Sequence, residues 1–349
     1  MALNNDMEIS QSKKIYVGFI TYNSTAKYLP YFLPSLKEQS FKDLKIVAVD
    51  NSEEEKNDNL IYIKNNFSEI ELKQVGENIG FAKAYNIMIN EAVKAGADYF
   101  LALNPDMILE PNMIEEILEV IESDDKIAAV EPKILKWDFE NKVKTNIIDS
   151  YGIICDRKFR FRDNGQGQID NKVGGKIEEI FGFTGAAVML NLKALEDIAF
   201  DNGKNKEYFD ELMFMYKEDC DLSLKLRLAG WKIKLADDAI VYHDRTASRV
   251  GDSMWQIIKN RTGKKRKIKL WSFFGQWVIV LKYNRVAFSL KTKFYIWWYQ
   301  FEILAFTILF EQYLLGELIR IWKIRKLIRK RREQLKIRVD ISEVEKLFV

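Results

Sequence analysis

DYFLALNPD, residues 98–106, is an apolar run that ends on polar residues, and its reading decides the fold. Asp98–Leu103 has the length and composition of a buried strand. Asn104, Pro105 and Asp106 follow at its carboxyl end, and Pro105 stiffens the turn that aims Asp106. The format recurs on either side, in the apolar runs Ile15–Ile20, Lys45–Asp50, Ile70–Val75 and Ile127–Val130. Helical patterns lie between them: Lys27–Gln39, Phe81–Ala95 closed by Gly96, and Met113–Ile121 entered through Pro111. Strand and helix in alternation predict an α/β chain with a mostly parallel sheet covered on both faces.

Ligands on such a sheet bind at the carboxyl ends of the strands. The residues there are Thr21, Tyr22 and Asn23; Asp50, Asn51 and Ser52; Glu77, Asn78 and Gly80; then Asn104 and Asp106. Asn, Asp and Ser also make turns and helix caps. Four polar strand ends on one edge, acids among them, predict a polar ligand site. No GxGxxG fingerprint or P-loop follows the first strand, which disfavours dinucleotide oxidoreductases and P-loop NTPases.

Further along, the pattern weakens. Residues 131–175 hold a weak strand at Ile147–Cys155, and Gly165–Gly175 reads as a mobile loop. Order returns with Lys176–Phe183 and Ala186–Asn191, a helix from Glu218 to Leu228 stopped by Gly230, and two short strands, Trp231–Ala236 and Ala239–His243. His243 is the single histidine, and an imidazole at a strand end can join a carboxylate such as Asp106 around a metal. Acids at a helix N-terminus are ordinary capping, but EDCD, residues 218–221, places three there. A carboxylate facing a cleft at that point suits a general base for an attacking hydroxyl.

These residues, taken in order, resemble glycosyltransferase family 2 and its bacterial rhamnosyltransferase-like members. The matching stretches are VGFITYN, VAVDNS, ENIGFAKAYN, LALNPDM, FTGAAVML, FMYKEDCDLSLKLRLAGW and AIVYHDRTAS, spanning Val17 to Ser248. The resemblance implies a Rossmann-like GT-A fold and an inverting single displacement, with dTDP-rhamnose as the donor it favours. It assigns Thr21, Tyr22, Asn23 and Asp50 to the nucleoside, and Asn78, Gly80 and Asn86 to the nucleotide and phosphate side. Asn104-Pro105-Asp106 stands in the place of the DxD motif, with Asp106 as the carboxylate for a divalent metal, Mg²⁺ or Mn²⁺, and His243 beside it. Thr184 and Gly185 would lie near the sugars, and Asp219, paired with Glu218, would be the base. Three positions depart from the pattern: Asn104 replaces the first acid, Cys220 sits inside the acidic cluster, and HDRTAS has Arg and Thr where glycine is frequent.

Charge divides the chain. Residues 1–250 carry 32 Lys and Arg against 43 Asp and Glu, whereas residues 251–349 carry 22 against 8. The reading is a flexible, polar N-terminus at 1–13, a GT-A catalytic domain at 14–250 and a basic, aromatic-rich helical region at 251–349. In the last part LWSFFGQWVIVL (Leu270–Leu281) and Phe294–Trp322 are interrupted by charges, so a spanning helix is disfavoured. Trp and Tyr beside Lys and Arg clusters predict helices lying in an anionic membrane interface. Packing on the catalytic domain or on a second subunit is the alternative. Long apolar runs, unlike singly spaced stacking residues, argue against nucleic acid. Two cysteines, no signal peptide and no metal-type CxxC spacing point to the cytoplasm, with the protein peripheral on the inner face of the cell membrane.

The expected partners are a nucleotide diphosphate sugar, a glycan or lipid-linked acceptor and that membrane surface; a homo-oligomer is left open. A nucleotidyltransferase would carry a Gly-rich, basic loop after the first strand, and ITYNSTAKYLP has no glycine. A non-catalytic scaffold would have no use for Asp106, Asp219 and His243 together.

Overall fold

The structure, a computed structural model, describes residues 13–171, 174, 175, 177–245, 263 and 265–349. The N-terminal stretch before Lys13, residues 246–248 of the last motif and residues 259–262 and 264 of the first basic run lie outside these.

Four strands follow the first four apolar runs: β1 (Ile15–Thr21), β2 (Leu44–Asp50), β3 (Glu71–Gln74) and β4 (Tyr99–Leu103). They are joined by α1 (Leu29–Lys37), α2 (Asp58–Asn66) and α3 (Phe81–Lys94). A separate 3-10 turn, Asn23–Lys27, precedes α1, so the predicted helix at 27–39 is shorter and starts at Leu29-Pro30. Its counterpart α2 was not anticipated; the Asn57 side chain caps it by accepting from Leu60 N at 3.1 Å. The chain continues through β5 (Met107–Leu109), α4 (Met113–Glu122), β6 (Ile127–Asp138), β7 (Val143–Ser150), β8 (Ile153–Cys155), β9 (Phe161–Asp163), β10 (Ile177–Glu179) and β11 (Ala187–Asn191). Then come α5 (Leu192–Ile198), β12 (Phe200–Asp201), β13 (Lys206–Glu207), α6 (Glu218–Leu228) and β14 (Lys232–His243).

Among the described residues, ten strands form one sheet in the order β10-β14-β6-β11-β4-β1-β2-β3, with β5 on β14 and β7 on β6. The β4-β1-β2-β3 half is parallel, and so is β6 against β14. β11 runs antiparallel to both β4 and β6 and joins the halves. The two short strands predicted at 231–243 are one strand, β14, with a register shift between Ala236 and Ile240. The irregularity turns Asp237 inward, where its carboxylate sits 2.9 Å from Lys133 Nζ. The stretch from Gly165, expected to be mobile, is bonded alongside β7: Ile148 N donates to Gln168 O (2.8 Å) and Asp170 N to Asn146 O (2.7 Å).

Side-chain alternation along β1 splits the core. Ile15, Val17 and Phe19 pack against α1 and α4, while Tyr16 faces the opposite layer that contains α3, α5 and α6. A Cβ on Gly18 would lie 2.2 Å from the Phe100 ring, so only glycine fits there.

The C-terminal region is helical: α7 (Arg266–Tyr283), α8 (Leu290–Phe310), α9 (Leu315–Lys323), α10 (Arg325–Glu333) and α11 (Ile341–Lys346). No described helix is long and apolar enough to cross a membrane. A third core cluster joins Phe274, Val278 and Ile279 of α7 to Cys220, Leu224 and Leu228 of α6. Two cations of this region point inward. Lys282 Nζ donates to Asp210 Oδ2 (2.8 Å) and Asp221 Oδ2 (2.7 Å). Arg331 donates from Nε to Asp210 Oδ1 and from Nη2 to Glu207 Oε2, both at 2.6 Å. Part of the expected surface charge is therefore structural, since buried cations must be paired.

Candidate active site

The strand ends gather where the sequence places them, but with unequal access. Asp50, at the tip of β2, is wholly buried. Its Oδ1 accepts from Thr21 Oγ1 (2.7 Å) and Ser52 Oγ (2.9 Å), and its Oδ2 accepts from Asn57 Nδ2 (2.8 Å). It ties the end of β1 to the loop between β2 and α2, next to Tyr22 and Asn23, which remain exposed. Asn78 Oδ1 accepts from Gly80 N at 3.0 Å, and Gly80 has φ +83°. A Cβ on Gly80 would lie 2.4 Å from Phe214 O, so the turn before α3 and the loop before α6 meet at a glycine. Phe81 N seals that contact by donating to Phe214 O at 2.8 Å.

Asn86 differs from expectation. It is buried, and its amide is fully used: Nδ2 donates to Phe209 O (2.9 Å) and Glu211 Oε1 (3.0 Å), while Oδ1 accepts from Tyr208 N and Phe209 N. It pins residues 208–211 to α3 and offers nothing to a ligand.

Asp106 and His243 do come together, from segments far apart in sequence. His243 pairs with Met107 in the β14–β5 register, which sets Asp106 alongside. His243 Nε2 lies 3.3 Å from Asp106 Oδ1, and its Nδ1 lies 2.7 Å from Asp149 Oδ2. Burial lowers the imidazole pKa, but the two flanking carboxylates outweigh it and push it up to about 10. Asp149 was missed by the sequence reading; a lone acid within IIDSYGIIC, bounded by isoleucines, was its only signal. Arg245 closes this side, with Nη1 2.9 Å from Asp163 Oδ2 and 3.6 Å from Asp149 Oδ1. Among the described residues no three His, Cys, Asp or Glu side chains converge on a metal position. Asp106 and His243 stand as a pair among these described residues, with Asp149 on the other imidazole nitrogen.

The acidic cluster opens α6. Glu218 is buried, its Oε2 has no hydrogen-bond partner among the described residues, and burial followed by the charge of Asp219 drives its pKa well above the ordinary carboxylate value. Asp219 is more open; its Oδ2 accepts from Gly185 N (3.2 Å) and its Oδ1 from Cys220 N (2.7 Å). The Thr184-Gly185 turn is fixed from behind by Glu131, a fully buried carboxylate that accepts from Thr184 N (2.7 Å), Ser150 Oγ (2.8 Å) and Gly152 N (3.1 Å). Asn104 N donates to Ala186 O at 2.7 Å, which brings the β4 tip to the same turn.

The loop before Asp219 carries two consecutive left-handed residues, Tyr216 (φ +69°) and Lys217 (φ +78°). Such backbone persists only where its surroundings impose it. Here α7 does so. Trp271 stacks on Phe214 (ring centres 5.0 Å apart, planes at 28°) and lies 6.4 Å from Tyr216. Gly275 allows close approach, since a Cβ there would lie 3.0 Å from Tyr216 O.

The α/β sheet with its polar residues at the strand tips is a GT-A-like fold. The model described as glycosyl transferase family 2 matches residues 16–195, and the chain belongs to that family. It is a glycosyltransferase, and the nucleotidyltransferase alternative is set aside. No curated protein matches the chain. A crystal structure of S. aureus TarS 1–349 superposes with a TM-score of 0.53 at 16% identity, covering 95% of this chain and 90% of that one. TarS 1–349 in complex with UDP gives 0.50 at 15% identity over the same shares. GalNAc-T7 with UDP, GalNAc and Mn²⁺ gives 0.52 at 14% identity, covering 84% of this chain and 57% of that one, so this chain spans little more than half of GalNAc-T7.

Proposed function

We propose that the chain transfers a sugar, with inversion, from a pyrimidine nucleoside diphosphate donor to a hydroxyl of a glycan or lipid-linked acceptor. UDP in TarS and in GalNAc-T7 and the resemblance to rhamnosyltransferase-like members, which points to dTDP, share a pyrimidine diphosphate. The observation that carries the reading is geometric: His243 Nε2 lies 3.3 Å from Asp106 Oδ1, and Asn104, two residues before Asp106, donates from its N to Ala186 O beside the Gly185 amide that holds Asp219.

Asp219 takes the acceptor proton, its carboxylate held in place by the Gly185 amide. Glu218, whose carboxyl is pushed toward the protonated form by burial and then by the charge of Asp219, stays buried beside the base. Tyr22 and Asn23 face the nucleoside over the Thr21–Asp50 hub; Asn78 and Gly80 form the phosphate side, with Asn86 acting only through residues 208–211. Asn104, Thr184 and Gly185 line the sugar. The residues fit a divalent ion: Asp106 and His243 would be its donors, and Asp149 holds Nδ1 so that Nε2 faces Asp106, the arrangement that orients a ligand histidine. Mg²⁺ or Mn²⁺ bound there supplies positive charge to the departing diphosphate.

Residues 14–250 are the catalytic region of this proposal. Residues 251–349 keep it peripheral on the anionic inner face of the cell membrane, in cell-surface polysaccharide synthesis. The test is incubation with UDP-, dTDP- and GDP-sugars, with and without Mg²⁺ or Mn²⁺, following nucleoside diphosphate release and the anomeric configuration of the product. Release from no donor sinks the reading; a retained configuration overturns the single displacement.

A further inference from the structure

α8 is built inside out. Its buried positions are Thr292, Ile296, Gln300 and Thr307, three of them polar. Gln300 Oε1 and Thr307 Oγ1 have no hydrogen-bond partner among the described residues. The opposite face carries Leu290, Phe294, Trp297, Trp298, Phe301 and Ile308, with Leu290 86%, Phe294 63% and Phe301 61% exposed. Their spacing keeps them on one helical stripe. An ordinary surface helix gains its stability by turning the apolar stripe inward. This one buries hydroxyls and an amide and leaves aromatics outside, so the stabilising medium lies on the outer side.

We infer that the outer face of α8 inserts into the interfacial layer of an anionic lipid surface and lies in its plane. The inference rests on the membrane placement proposed above, and it names the element that makes contact. Three observations select lipid. α8 is not long and apolar enough to span. The stripe mixes Trp and Phe, which favour the headgroup boundary. The region that carries it holds 22 Lys and Arg against 8 Asp and Glu, and Lys291, Lys323, Lys326 and Lys330 are exposed. A second copy would bring the same positive region against itself, whereas acidic headgroups complement it. Trp322 at the end of α9, 62% exposed with the Arg325 guanidinium 4.1 Å from its ring centre, extends the same chemistry.

The experiment is sedimentation of the full chain with vesicles of phosphatidylcholine and phosphatidylglycerol, and of phosphatidylcholine alone. It compares wild type with a Phe294→Ser/Trp297→Ser/Phe301→Ser variant and with Lys323→Gln/Lys326→Gln/Lys330→Gln. Circular dichroism and transfer to a soluble acceptor check that each variant is folded. The aromatic variant is expected to lose more than ~10-fold of vesicle binding even at low salt, since each aromatic adds apolar burial. The lysine variant is expected to lose salt-sensitive binding to phosphatidylglycerol vesicles only. Equal binding by wild type and aromatic variant overturns the α8 face but leaves membrane placement standing. Absence of binding by the wild type overturns both, while nucleoside diphosphate release tests the catalytic reading independently. A dimer in sizing experiments that the aromatic variant converts to monomer assigns the face to a second copy and overturns the lipid assignment.

Discussion

The amide of Gly185 donates to Oδ2 of Asp219 at 3.2 Å, so the turn after β10 and the first turn of α6 share a carboxylate. Each carboxylate oxygen has two lone pairs, and Asp219 has one backbone donor on each. The remainder is available to an acceptor hydroxyl. Glu218 is buried beside it.

The pair therefore separates by substitution. Asp219→Asn keeps shape and loses the proton acceptor, and kcat is expected to fall by ~10²–10⁴ with donor KM nearly unchanged. Burial, then the charge of Asp219, favours the protonated form of Glu218, so Glu218→Gln is expected to keep most of kcat. Steady-state kinetics of both variants decide; a dead Glu218→Gln beside an active Asp219→Asn reverses the assignment.

Metal dependence tests the opposite side of the site. Asp106→Ala is expected to abolish metal-stimulated transfer without unfolding the chain, because its side chain is 29% exposed and outside the core. Asp149→Asn is expected to weaken Mn²⁺ binding by ~10–100-fold, the usual cost of losing the partner of a ligand histidine. Calorimetric titration of Mn²⁺ reads both, and full wild-type activity in EDTA would falsify the metal role.

Trp271 is expected to act on the base through the loop it supports. Trp271→Ala removes the stack on Phe214 and Tyr216 and should lower kcat by ~10²-fold, the scale of a small misplacement of a reacting group. Trp271→Phe should restore most of it, and donor KM should barely move. An equal rise in KM, or no rescue by Phe, points to general unfolding.

Sequence patterning reached the four parallel strands and the polar tips because both depend on neighbours within one element. Through the family motifs it also named Asp106 and His243, which the fold brings together, and Asp219 in the first turn of α6. It missed Asp149, which meets His243 across 94 residues. Nor could it rank Asp50, Asn86 and Glu218 by access, since burial follows from packing. Lys282 and Arg331 look like any other tail cations in sequence, and only the tertiary contact to Asp210 shows that they face inward. The helix α2 escaped because it buries little: Asn59, Leu60 and Ile63 alone are covered.

Asp210 gives a stability test with a defined sign. Burial raises its pKa, but Lys282 and Arg331 more than compensate and hold it down to about 2. A depressed carboxylate contributes stability that is complete above the ordinary carboxylate range near ~4 and is lost as pH falls toward about 2. Asp210→Asn is expected to cost about 1.5–3 kcal/mol at neutral pH, because it takes one charged partner from each cation while Asp221 still pairs Lys282 and Glu207 still pairs Arg331. That difference should shrink on acidification through this window, as read by urea unfolding at several pH values. A difference independent of pH would show that the charge of Asp210 is not what holds the cluster.

The ion cluster has a consequence for how the gene can be recombined. Glu207, Asp210 and Asp221 are partnered by Lys282 and Arg331, and the loop between them is braced by Trp271 and Gly275. A crossover between two relatives that falls after residue 221 and before residue 266 would inherit acids from one parent and cations from the other. Unless both parents carry the same set, the hybrid holds unpaired charges in its interior and a base on an unbraced loop. Residues 207–221 and 266–331 behave as one unit of inheritance, and chimaeras that seek a new acceptor should exchange them together.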